Sequence, residues 1–116
     1  MSEGPPLDDL LSALRSSDRE VQRPACDALV PRVTEDADTR DAVTALLRDA
    51  HPETRFAAAF VLFHARPTLR ILPALLEALE LADGDRRWQA AQMLAALGRL
   101  QTEVFPVVLH LSLIHI

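Results

Sequence analysis

Three stretches of this chain repeat one another column by column. Leu14, Leu47 and Leu79 stand near the ends of three apolar segments, and a turn position follows at Asp18, His51 and Asp83. Then come Glu20, Glu53 and Asp85, followed by Gln22, Arg55 and Arg87. The small pairs Ala25-Cys26, Ala58-Ala59 and Ala90-Ala91 precede Leu29, Leu62 and Leu94. The offset is 33 residues and then 32. A unit of this length cannot bury its apolar face alone, so copies of it stack into a quasi-one-dimensional array.

Composition supports helices as the stacked elements. Apolar residues make up 49% and aromatics only 4%. Much of the apolar share is alanine, which suits closely packed helices, whereas strands favour β-branched and aromatic residues. Periodicity gives the elements. Leu7, Leu10, Leu11 and Leu14 form a helical stripe, so roughly 7–16 is a helix opened by Asp8 and Asp9. Ser17 or Asp18 caps a second helix to about Val30, with Val21, Ala25, Ala28 and Leu29 inward. Pro24 is expected to bend or restart it. A third helix starts between Asp36 and Arg40 and runs to about Asp49. After the turn His51-Pro52-Glu53, Thr54 to Ala65 is the most apolar helix. Roughly 68–82 and 86–98 form the last full pair, the latter closed by Gly98. Another helix begins at Thr102.

The expected fold is therefore an all-α solenoid of about three antiparallel helix pairs plus the first helix of a fourth. Residues 1–6 form a disordered lead-in, and the domain covers 7–110, with repeats at about 7–33, 36–66, 68–99 and, in part, 102–110. The pattern resembles the HEAT repeat, specifically the short bacterial type grouped as phycobilisome-lyase HEAT-like repeats. The family's second helix has an acidic turn residue, Val-Arg, two variable residues, Ala-Ala, and Leu three positions later. Here that reads Asp18, Val21-Gln22, Ala25-Cys26 and Leu29, then Thr54-Arg55, Ala58-Ala59 and Leu62, then Asp83, Arg86-Arg87, Ala90-Ala91 and Leu94. The resemblance implies a ladder in which Arg55 and Arg87 reach acidic turn residues, Asp83 and Asp85 above all. Gln22 cannot make that ion pair.

The register fails near the end. Pro73 aligns with Pro106 at the same offset, so position 112 should repeat the core Leu79, and it is Ser. The mismatch falls in the string Leu111-Ser112-Leu113-Ile114-His115-Ile116, which the mosaic-end adapter of transposon-based sequencing libraries encodes in frame. Residues 111–116 are thus read as a non-native tail on a truncated fragment. The incomplete fourth repeat, with Val104, Val107, Val108 and Leu109, is expected to expose an apolar patch through which the chain associates.

Several function classes are disfavoured. All twelve basic residues are Arg, the net charge is −5 and the pI about 5.2, against a general nucleic-acid or anionic-membrane surface. The N-terminus lacks the basic and apolar regions of a secretory signal, and no apolar run approaches the roughly 20 residues a membrane span needs. A cytoplasmic setting follows. Cys26 is the only cysteine, so there is no internal disulfide, and its small-residue column marks it as buried. His51, His64, His110 and His115 show no metal-ligand spacing, so no metal or cofactor is expected. Deoxyhypusine hydroxylase, built on the same scaffold, needs adjacent His-Glu pairs. Here His51 and Glu53 are separated, and Asp18 and Asp83 fill the aligned positions. A HEAT-like DNA glycosylase would want a basic concave surface, of which Trp88 with Asp85 and Arg86-Arg87 is a faint echo.

The strongest functional signal is an aromatic stripe. With Ala58 inward, the 100° helical step puts residues 54, 58, 61 and 62 on one side and Phe56, Phe60 and Phe63 opposite. Trp88 shares the column of Phe56, and Arg23 holds it in the first repeat. Aromatics and Arg on the concave second-helix face have the composition of a hot spot. The candidate partner-binding residues are Arg23, Phe56, Phe60, Trp88 and Gln92, and the function is non-catalytic binding of a protein partner. The plainer alternative is that this middle helix is apolar all round because flanking repeats cover it. The runner-up function is an accessory or cofactor-handling domain such as a chromophore lyase subunit, with Phe56, Phe60 and Arg55 in a pigment groove.

Overall fold

The structure, a computed structural model, describes residues 5–104, with side chains described through residue 99. Six helices follow one another: α1 (Leu7–Leu14), α2 (Arg19–Glu35), α3 (Ala37–Ala45), α4 (Pro52–Ala65), α5 (Leu72–Ala78) and α6 (Gly84–Val104). Short 3-10 turns at Leu46–Arg48 and Leu69–Ile71 adjoin α3 and α5. No strand occurs among the described residues. The pairs α1/α2, α3/α4 and α5/α6 match the three repeats, and α2 packs directly on α4. None of the described helices is long and apolar enough to cross a membrane.

Local chemistry explains the helix starts. The Asp18 carboxylate accepts from the Glu20 N–H at 2.9 Å and caps α2. Asp36 accepts from the Asp38 N–H at 3.3 Å and from the Thr39 hydroxyl at 2.6 Å, separating α2 from α3. Pro52 and Pro73 occupy the first turns of α4 and α5, where a missing N–H costs no helical bond.

Several helix limits differ from those the sequence suggests. Pro24 and Pro31 both lie inside one continuous α2. Its inward stripe of Gln22, Ala25, Cys26, Leu29 and Val33 holds the helix, while Pro24 and Glu20, whose carbonyl loses a donor, are exposed to solvent. Gly98 does not end α6, which runs on to Val104. Residues 102–104 thus extend α6 and do not open a new helix. The rest of the expected fourth repeat and the 111–116 tail lie outside the described residues. Of the expected lead-in, residues 1–4 lie outside them too. The Pro5 carbonyl accepts from Arg32 at 2.7 Å, and the Pro6 carbonyl accepts from the Asp9 and Leu10 amides at the start of α1.

The core is centred on α4. Ala57, Ala58 and Ala59 have no exposed surface, and Thr54, Val61 and Leu62 are buried beside them. Alanine here lets α2 approach closely. Leu14, Leu29 and Leu75 fill the spaces between the helices, and truncating one to Ala would cost about 2–5 kcal/mol.

The leucine columns hold unevenly. Leu14, Leu29 and Leu62 are buried and Leu47 and Leu94 half-buried, but Leu79 is 39% exposed. Leu14 still belongs to the α-helix of its repeat. In the next two repeats the α-helix stops earlier, at Ala45 and Ala78, and i→i−3 bonds tighten the turn that follows. In those two repeats Leu46 and Ala78, one position earlier, point inward in place of Leu47 and Leu79. In α2 a similar exchange occurs. Val21 is 47% exposed and Gln22 is buried.

Candidate functional site: a groove along the second helices

Helices α2, α4 and α6 carry the second half of each repeat. Helix α4 forms a floor, with α2 and α6 as walls on either side. Two adjoining clefts, of about 420 Å³ and about 480 Å³, share Arg23, Phe60 and Gln89 and together form one groove.

A polar clasp closes the end near the helix N-termini. Arg19 of α2 binds both Asp83 and Asp85, at 3.3 Å to Asp83. Arg86 donates to Asp83 at 2.9 Å and to the Gln22 side-chain oxygen at 2.9 Å. The Gln22 amide donates to the Leu14 carbonyl at 2.8 Å and reaches the Ser16 and Glu53 carbonyls at 3.3 Å. Gln22 and Arg86 are 4% and 6% exposed. One buried side chain thus ties the first repeat to the second through Glu53 and to the third through Arg86. The hydrogen bond to Asp85, and then the charges of Asp83 and Asp85, raise the pKa of Arg19. Cys26 lies beneath the clasp. Burial, reinforced by Asp27, pushes its thiol up to about 12 and outweighs Arg23 and Arg86. It stays protonated and is not an activated nucleophile.

The other end is open, and its floor is an aromatic ladder at i, i+4 spacing. The Phe56 and Phe60 rings are 6.3 Å apart, Phe60 and His64 are 4.5 Å apart, and Phe63 meets His64 edge-on at 5.1 Å. The Arg23 guanidinium sits 5.8 Å above the Phe60 ring, a cation–π distance. Trp88, Gln92 and Arg99 form the α6 wall, and Trp88 is 64% exposed. Burial holds His64 below its ordinary pKa, Asp27 opposes this and Arg23 adds to it, so the ring is neutral near pH 7.

The five candidate partner-binding residues therefore divide. Arg23, Phe60, Trp88 and Gln92 line the open cleft. Phe56 is only 4% exposed, a core side chain whose edge reaches the floor under the clasp. The clasp covers it because Gln22 and Arg86 close over that stretch of α4. Trp88 shares its sequence column, yet α6 leaves it exposed.

The inter-repeat ladder is wired differently from the family-based expectation. Arg55 binds Glu77 of α5 through two bonds of 2.8 and 2.6 Å and donates to the Asp49 carbonyl at 2.5 Å. Arg87 donates to the Leu81 and Ala82 carbonyls at 2.8 and 3.0 Å. Asp83 and Asp85 pair with Arg19 and Arg86 instead. Asp83 also accepts the Asp85 N–H at 2.9 Å at the start of α6, which sets Arg86 one turn beyond it and in reach of its carboxylate.

Sequence reasoning missed Gln22, Arg19 and Arg86 as a unit, because a glutamine in an arginine column looks like a lost interaction. It also weighed His64 only as a metal ligand, although its i+4 relation to Phe60 was legible. Among the described residues, no group of three or more His, Cys, Asp or Glu could hold a metal ion. Compared with known protein families, the chain matches the model of HEAT repeats over residues 7–95. Comparison with curated proteins and with solved structures found no match.

Proposed function

We propose, from the premise that the chain belongs to the HEAT-repeat family, that it is a non-catalytic module holding a protein partner in the groove of its second helices. HEAT repeats generally mediate protein–protein interaction. The observation that carries the reading is Trp88. A large aromatic, 64% exposed, stands across a groove from Phe60 under its guanidinium. Exposed Trp beside Arg and a half-buried ring is the composition of an interaction hot spot, where few residues supply most of the binding energy. Stacking through α4 and the clasp makes the groove rigid, so little ordering cost attends binding. We place the protein among the short bacterial phycobilisome-lyase type, working in the cytoplasm.

A photo-crosslinking residue at Gln92 tests the reading, with one at Arg70, outside the groove, as control. Partner adducts should form from position 92 and not from 70. Adducts from 70 alone would overturn the placement. A second reading, a chromophore-handling domain, draws on the aromatic floor beside Arg23 and Arg99. Titration with a linear tetrapyrrole separates the two, since cofactor binding produces a new visible band and a protein-binding scaffold produces none.

A further inference from the structure

The open end of the groove carries two arginines with no ion pair among the described residues, although the chain as a whole bears a charge of −5. Arg23 and Arg99 face the cleft from opposite walls, and no Asp or Glu lines it. Neither arginine has an ion pair among the described residues, whereas Arg19, Arg55 and Arg86 are all paired. Asp27, one turn along α2 from Arg23, acts on His64 through its charge but does not line the cleft. Between the arginines lie Phe60 and Trp88, with Gln89 and Gln92 as adaptable amides. At the clasp end Arg19 and Arg86 are already paired with Asp83 and Asp85, so the cations left for an acidic segment are those of the open end.

We infer that the open cleft binds an acidic peptide segment carrying an apolar anchor: its carboxylates bridge Arg23 and Arg99, and the anchor packs between Phe60 and Trp88. This rests on the protein-binding reading and specifies its partner. Arginine's planar fork of N–H donors suits carboxylates. Complementary charge of this kind selects the partner and speeds encounter.

The experiment is selection of random 12-residue peptides on the intact chain, with emission from Trp88, the only tryptophan, as the binding signal. Peptides that shift Trp88 emission should be net acidic with a Leu, Phe or Met anchor. Their affinity should fall about tenfold or more in the Arg23→Glu/Arg99→Glu variant, which should instead select basic peptides, since each lost charge-assisted contact is worth about a tenfold change. Both positions are exposed, and helical circular dichroism checks that the variant folds. Selected peptides that shift Trp88 but are neutral or basic would overturn the acidic specificity and leave the protein-binding reading standing. A selection yielding no peptide that shifts Trp88 would overturn both.

Discussion

The two ends of the groove use the same residue types to opposite effect. At the clasp end, Arg19 and Arg86 meet Asp83, Asp85 and Gln22, and every strong donor is satisfied within the chain. At the open end, Arg23 and Arg99 find no carboxylate among the described residues, and Trp88 stands in solvent. A buried arginine with its partners in place, as Arg86 is, belongs to the architecture. An exposed one beside aromatic rings is available for recognition. The distinction depends on whether desolvation has already been compensated, because removing a partner from a buried polar network strands the others, while truncating an exposed residue strands nothing.

The largest effect that would break this comparison comes from the clasp. Arg86→Ala leaves the Gln22 oxygen without a donor and Asp83 short of one, and should cost about 2–4 kcal/mol. The melting temperature should fall by more than about 10 °C, and Cys26, a buried and protonated thiol in the parent, should label faster with thiol reagents. Arg23→Ala should change stability by no more than about 0.5 kcal/mol. If the two variants melt alike, the clasp is not structural.

At the open end, Trp88→Ala should weaken partner capture by about 2 kcal/mol, roughly thirtyfold, with stability unchanged within about 0.5 kcal/mol. Titration of wild type and variant against the crosslinked partner, alongside thermal melts, checks both halves. A matching loss of stability would make Trp88 a core residue and erase the contrast.

A smaller effect sharpens the description of the α6 wall. Gly98 lies in mid-helix, and a Cβ there meets nothing within 4 Å. Gly98→Ala should stabilise the chain by about 0.5–1 kcal/mol in urea unfolding and leave binding intact. Destabilisation would mean that Gly98 ends the helix, as its place in the sequence pattern suggested.

The smallest effect lies outside the groove. The hydrogen bonds from Arg55 hold the Glu77 carboxyl below its usual pKa. A depressed folded pKa gives stability that is present above the unfolded carboxylate pKa, about 4.3, and lost as pH falls through the lower folded value. Glu77 is 43% exposed, so screening limits this to less than about 1 kcal/mol. Glu77→Gln should flatten the acid limb of urea midpoints measured from pH 7 to pH 3. An unchanged slope would show that the pair contributes nothing.

Much of this was legible in the chain itself. The repeated columns placed Leu14, Leu29, Leu62 and the Ala58 face correctly, and the Pro52 start and a cap at Ser17 or Asp18, which is Asp18, followed from short-range rules. The 100° step also put Phe60 on a face away from the Thr54, Ala58, Val61 and Leu62 side. Columns could not show that Gln22 would be buried and Val21 exposed, or that Leu79 would turn outward. Those outcomes follow from how the stacked helices are turned against one another and from what meets there, as Gln22 meets Leu14, Glu53 and Arg86.

The sequence by itself determined the period, the helical pairs and the small-residue packing of α4, because local hydrogen bonding and apolar periodicity act within about a turn or two of chain. Only the tertiary structure decided which arginines are used up. Arg19 and Arg86 meet Asp83 and Gln22 across 64 residues of chain, while Arg55 turns to Glu77 on the other side of α4. Charge pairing acts through space and not along the chain, and no column in a repeat specifies which neighbour the stacking will bring within 3 Å.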